Sequence, residues 1–123
     1  MAYEVLVVED SAAMRSFIAS TVEEIEGVTV VEAESGFQAL KELPRGNFDL
    51  IITDINMPDI NGLELIRFIR ENEKYKETPL IIVSTESSQR DRERGLALGA
   101  NAYLVKPFTP AALKEAVNRY LKD

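Results

Sequence analysis

The sequence predicts an α/β domain built on a parallel sheet with helices on both faces. Three observations predict it. Short β-rich runs at about 4–8, 28–33, 49–53, 79–84 and 101–105 alternate with longer stretches of helical spacing. The runs Val5-Leu6-Val7-Val8, Leu50-Ile51-Ile52 and Leu80-Ile81-Ile82-Val83 are continuously apolar, as expected of strands buried on both sides. Finally, polar residues close four of the runs: Glu9 and Asp10, Asp54, Ser84, and Lys106 followed by Pro107. In a parallel sheet the carboxyl ends of strands share one edge, and ligands bind there.

The helices follow in order. Met14, Phe17, Ile18, Val22 and Ile25 recur on one face of the first. Ser35 with Gln38 reads as a capping box opening the second, and Pro44 ends it or lies just beyond. Asn61 with Glu64 is a looser version of that box before Leu65, Ile66 and Ile69. The fourth stretch, 88–98, has little apolar face and an internal Gly95. It reads as a solvated, weakly held helix and, compatibly, as a mobile or partner-contacting element. Thr109 is an N-cap with Pro110 at the first helical position, and Leu113, Val117, Tyr120 and Leu121 line the last helix. Connections between parallel strands should be right-handed crossovers.

A chain of 123 residues fits one domain, 1–123. That length buries roughly two-thirds of the unfolded surface, enough for a core without staples. There are 21 acidic and 14 basic residues, a net charge of −7. Nucleic acid and anionic membrane, which need a basic surface, are therefore disfavoured as partners. With no Cys and no His, any metal must be held by oxygen, which points to Mg²⁺, Ca²⁺ or Mn²⁺. No apolar run approaches the roughly 20 residues of a membrane span. The N-terminus lacks a signal-peptide pattern, so a cytoplasmic location is expected.

Asp10 and Glu9 after the first strand and Asp54 after the third would lie close together if those strands are neighbours. Two unit charges ~4 Å apart repel by about 4 kcal/mol at an effective dielectric of ~20. Lys106 can offset part of that repulsion, and a divalent cation can offset more. Any one acid alone reads more readily as a cap or a loop start; acids, lysine and hydroxyl together on one edge read as a site. A carboxylate beside a metal and a lysine can act as a nucleophile toward a phosphoryl group, forming an aspartyl phosphate. Cation and lysine would stabilise the charge on the transferring oxygens, and Ser84 could donate to one of them. Gly62 reads as turn geometry. Two other readings fit less well. A dehalogenase-type phosphatase needs a second acid two residues after its nucleophile, where Asn56 stands. A flavodoxin-type FMN carrier needs a Thr/Ser/Gly-rich loop after strand one, where Glu9-Asp10-Ser11-Ala12-Ala13 is acidic.

Four segments carry a resemblance: Leu-Val-Val-Glu-Asp at 6–10, Asp-Ile-Asn-Met-Pro at 54–58 with Gly62, Val-Ser-Thr-Glu at 83–86, and Gly-Ala-Asn-Ala-Tyr-Leu-Val-Lys-Pro-Phe at 99–108. In this order and spacing the chain resembles the response-regulator receiver domain, in its single-domain, chemotaxis-type form. The resemblance implies the flavodoxin-like strand order 2-1-3-4-5 with five flanking helices. It implies Asp54 as phosphoacceptor, Asp10 on Mg²⁺ directly (Mn²⁺ as a substitute), Glu9 mostly through water, and Asn56 through its backbone carbonyl. Lys106 would bridge a carboxylate and the phosphoryl group. Ser84 would swing in to hydrogen-bond it, with Tyr103 moving inward; without the resemblance, Tyr103 reads as packing. Asn56 and Glu86 would tune dephosphorylation, and the Lys106–Pro107 bond would be cis. Glu9 stands where Asp is commoner. Thr85 stands where a smaller residue is common, and its branched side chain should slow small phosphodonors.

The implied partners are a sensor histidine kinase and a downstream protein target, contacted through a face of helix four, strand five and helix five. The protein would be a monomeric signalling switch rather than an enzyme with an external substrate. The alternatives are a phosphorelay intermediate or an isolated receiver of a longer DNA-binding regulator; the end at Asp123 leaves no room for such an effector within this chain.

Overall fold

The computed structural model describes residues 2–85 and 89–121. Five strands and five helices alternate: β1 (Tyr3–Val8), α1 (Ala12–Glu23), β2 (Val28–Ala33), α2 (Gly36–Glu42), β3 (Leu50–Asp54), α3 (Gly62–Glu71), β4 (Leu80–Ser84), α4 (Gln89–Ala97), β5 (Ala102–Val105) and α5 (Pro110–Leu121). The sheet is wholly parallel, in the order β2-β1-β3-β4-β5. The chain adds β2 on one side of β1, then crosses to add β3 on the other, so the topological switch point lies between β1 and β3.

The apolar runs make the two cores. Val5 and Val7 of β1, Leu50 and Ile52 of β3 and Ile81 and Val83 of β4 pack with Ile18 and Val22 of α1 and Leu113 and Val117 of α5. Leu6, Val8, Ile51, Leu80 and Ile82 point to the opposite face and pack with Ala39 of α2 and Leu65, Ile66 and Ile69 of α3. Side chains alternate across a strand, so a strand with helices on both faces must be apolar at every position. Every residue of β3 and β4 is buried, whereas the edge strands β2 and β5 are partly exposed.

Caps set the helix starts. Ser11 Oγ accepts from the Met14 N–H and opens α1. Ser35 Oγ accepts from Gln38 N–H, while Gln38 Oε1 returns to the N–H of Glu34 at 2.6 Å, one residue earlier than a capping box requires. Asn61 Oδ1 accepts from Leu63 N–H at 2.8 Å; the Glu64 carboxylate faces Arg67 instead of closing a box. Thr109 Oγ1 accepts from Ala112 N–H at 3.0 Å. Helix α4 buries only Gly95 among its residues. A Cβ at Gly95 would lie 2.4 Å from Cδ1 of Ile82, so α4 rests on β4 at a point where only glycine fits without displacement. Ser88, the first residue of the stretch read as helix four, lies outside the described residues. No helix among the described residues is long and apolar enough to cross a membrane.

Candidate phosphoacceptor and cation site

Register brings the acidic residues together. Val8 is level with Thr53, so Glu9, one residue past β1, comes level with Asp54 at the end of β3. Asp54 pairs with Val83, and Ser84 pairs with Val105, which places Lys106 one step beyond Ser84. The Lys106 N–H donates to the Ser84 carbonyl at 2.8 Å, extending the β4–β5 ladder to the lysine. The Lys106–Pro107 peptide bond is cis.

Lys106 spans the switch point. Its Nζ lies 2.5 Å from Glu9 Oε1 and 3.1 Å from Asp54 Oδ2. Its partners stand 97 and 52 residues away in sequence. Glu9 is 1% exposed and Asp54 5%, so the pairs are largely shielded from solvent. Asp54 Oδ1 accepts the Asn56 N–H at 3.2 Å, so each of its carboxylate oxygens has a donor. Burial pushes the Glu9 carboxyl above its ordinary 4.5; the Lys106 hydrogen bond opposes that shift and the Asp54 charge adds to it. Burial alone would lower the Lys106 ammonium, but the Glu9 hydrogen bond and the Asp54 charge outweigh it and hold the group above 10.5. The lysine is therefore a fixed cation at neutral pH.

Ligand atoms of Glu9, Asp10 and Asp54 all lie within 4.8 Å of one another. Asp10 is exposed at the mouth and Glu9 and Asp54 are buried behind it. Three carboxylates against one ammonium leave two uncompensated negative charges, all on oxygen. That donor set fits a hard divalent cation and no thiolate or imidazole metal.

Of the other residues singled out, Ser84 is fully buried at the end of β4 and Thr85 is exposed beside it. Asn56 is exposed on the loop after β3. Tyr103 is already buried, at 7% exposure, with the Arg92 guanidinium 5.9 Å from the centre of its ring. Glu86 lies outside the described residues. Gly62 has a structural role different from the expected turn. It is the first residue of α3, and its requirement is close approach: a Cβ would lie 2.3 Å from the Asp54 carbonyl oxygen.

Two residues around the site had no sequence signal. Arg15 of α1 donates through Nη1 to the Glu9 carbonyl at 2.9 Å and pairs with Glu32 of β2. Asp59, in the loop after β3, accepts from the N–H groups of Gly36 and Phe37 in α2. Glu32 and the two α2 N–H groups are partners brought near only by the fold.

A doubly wound parallel sheet whose switch-point edge carries three carboxylates and a lysine defines the class: a flavodoxin-like α/β domain with an oxygen-donor cluster that could hold a divalent cation. Residues 5–118 match the family described as the response regulator receiver domain, and the chain belongs to that family. It is thus a two-component signalling domain rather than a metabolic enzyme. It is 41% identical to chemotaxis protein CheY1 of Helicobacter pylori over 113 residues, covering 91% of both chains. Among solved structures it is similar to the chemotaxis response regulator CheY4 of Vibrio cholerae, with 36% identity, a TM-score of 0.91, and coverage of 98% and 100%. It is also similar to the receiver domain of a sensor histidine kinase from Pseudomonas aeruginosa, solved with a magnesium ion coordinated in the active-site cleft. That match has 31% identity, a TM-score of 0.88, and covers 98% of each chain.

Proposed function

We propose that Asp54 accepts a phosphoryl group from a histidine kinase or a small phosphodonor, and that this protein is a chemotaxis-type, single-domain switch, 1–123, working in the cytoplasm. The observation that carries the reading is the Lys106 ammonium 3.1 Å from Oδ2 of an Asp54 that is 5% exposed. Glu9, Asp10, Asp54 and the backbone carbonyl of Asn56 would hold Mg²⁺. When bound, the cation neutralises carboxylate charge and draws density from the phosphoryl oxygens. An Asp54 carboxylate oxygen forms the new O–P bond. The P–N bond of a phosphohistidine donor breaks, and its electron pair returns to the imidazole. Lys106, held protonated, is placed to exchange one carboxylate contact for a phosphoryl oxygen. Ser84 donates its hydroxyl to another. The added charge biases the arrangement of β4, β5 and α4, and the α4–β5–α5 face meets the downstream protein. Asn56 and Glu86 tune the return by hydrolysis.

The chemotaxis assignment is supported by relatives that carry that name and that this chain covers nearly end to end. Incubation with Mg²⁺ and acetyl phosphate, followed by intact mass, tests the chemistry. One added phosphoryl group is expected, absent in Asp54→Asn and formed faster in Thr85→Ala. Phosphoryl gain in Asp54→Asn would overturn the assignment of Asp54.

A further inference from the structure

The loop after β3 runs from Ile55 to Asn61 and is closed at its base, where the N–H of Gly62, the first residue of α3, donates to the Ile55 carbonyl at 2.7 Å. Ile55 and Met57, on either side of Asn56, are buried; Pro58 and Asp59 are exposed. In the outer half of the loop Ile60 packs against the core, and the Asp59 carboxylate ties the backbone to α2. Asp59 Oδ1 accepts from the Gly36 N–H at 3.2 Å and Oδ2 from the Phe37 N–H at 2.9 Å. Those are the first two N–H groups of α2, which a helix leaves without internal partners. Ser35 satisfies the third, at Gln38, so a local cap and a distant one complete the same helix start. The seam is tight: a Cβ at Gly36 would lie 2.7 Å from Cβ of Ile60. The hydrogen bond from Phe37 leads the contacts that hold the Asp59 carboxyl below its ordinary 3.8, so the clamp is ionised at neutral pH.

We propose that Asp59 is a positioning residue for the cation site: by clamping the loop to α2 it fixes the direction of the Asn56 backbone carbonyl. The proposal deepens, and rests on, the assignment of Glu9, Asp10, Asp54 and Asn56 as the cation's ligands. Outer contacts that orient a ligand contribute to metal affinity because a disordered ligand must be ordered on binding. Asp59 contributes no atom to the cation. It contributes the loop conformation.

Titration of the full chain with Mn²⁺, followed by electron paramagnetic resonance of the free ion, tests this below the unfolding transition, with circular dichroism confirming the fold of each variant. Asp59→Ala should weaken Mn²⁺ binding by about fivefold, somewhat less than the ~10–100-fold typical of groups touching a ligand directly. Asp59→Asn, which keeps one acceptor oxygen, should fall between that variant and wild type. Ser35→Ala removes the other cap of α2 without touching the loop and should keep wild-type affinity. Equal affinity in Asp59→Ala and wild type would overturn the proposal, leaving the packing of Ile55, Met57 and Ile60 sufficient to set the loop. A loss in Ser35→Ala as large as in Asp59→Ala would overturn it too, by assigning the effect to α2. If Asp10→Asn leaves Mn²⁺ affinity unchanged, the ligand assignment itself fails, and the clamp's role falls with it.

Discussion

Replacing Lys106 by methionine keeps an aliphatic stem and removes the cation. In the wild-type protein the ammonium sits 2.5 Å from Glu9 Oε1 and 3.1 Å from Asp54 Oδ2, with the lysine side chain 9% exposed. Without it, two buried carboxylates remain whose ligand atoms lie within 4.8 Å of each other. At an effective dielectric of ~20, unit charges at that separation repel by about 3.5 kcal/mol. Deleting one partner of a buried pair independently costs about 3–5 kcal/mol. A loss of about 3 kcal/mol is therefore expected in urea unfolding at neutral pH with a chelator present, followed by circular dichroism because the chain has no Trp. Protonation of Glu9 limits the loss. Its folded-state carboxyl already lies above 4.5, and losing the Lys106 hydrogen bond raises it further. The native state then holds a proton that the unfolded chain releases, so the deficit grows as pH rises above 4.5 and shrinks on acidification. In an Asp54→Asn background the repulsion is absent, and Lys106→Met should cost at least about 2 kcal/mol less than in wild type. A cost below about 1 kcal/mol, or the same cost in both backgrounds, would refute the account of Lys106 as the counter-charge of the site.

Two further outcomes are expected away from the acids. The buried Tyr75 hydroxyl lies 2.6 Å from the Leu43 carbonyl and 2.8 Å from that of Gly46, so Tyr75→Phe should cost about 1–2 kcal/mol in urea unfolding. Burial holds the Tyr75 phenol above 10.0; ionisation then favours the unfolded chain, and wild-type stability should fall relative to Tyr75→Phe as pH rises above 10.0. At Gly95, helix propensity favours alanine by about 1 kcal/mol, whereas its Cβ would meet Ile82 Cδ1 at 2.4 Å. Gly95→Ala should accordingly be neutral or destabilising alone, and stabilising by about 1 kcal/mol once Ile82→Val removes that methyl. A double-mutant cycle in urea reads the difference, and a stabilising Gly95→Ala in the wild-type background would contradict the close approach.

The residues alone reveal whatever a local pattern encodes. Val5-Leu6-Val7-Val8 and Leu80-Ile81-Ile82-Val83 announced strands covered on both faces because burial at every position leaves no alternation to find. Ser35 and Thr109 announced helix starts because a cap and its N–H lie three residues apart. Asp54 and Lys106 stood out because a charge at the end of an apolar run is conspicuous. Strand order was different: it came from the likeness of four segments to a known family, since nothing in a strand's own residues names its neighbour. Gly62 looked like a turn residue because local pattern records conformational freedom and not the carbonyl of Asp54 pressed against it.

The sequence by itself thus determined the alternation of strands and helices, the apolar core and the residue types that could meet at the carboxyl edge. Only the tertiary structure decided which of them meet. The β1–β3 register sets Glu9 beside Asp54, and Lys106 reaches both from the far edge. Arg15 is paired across 17 residues with Glu32, and Asp59 is tied across 22 residues to Phe37. The physical reason is range. Periodicity and capping act over a few residues, whereas charge pairing, glycine contact and sheet register act through space between segments that local pattern cannot bring together.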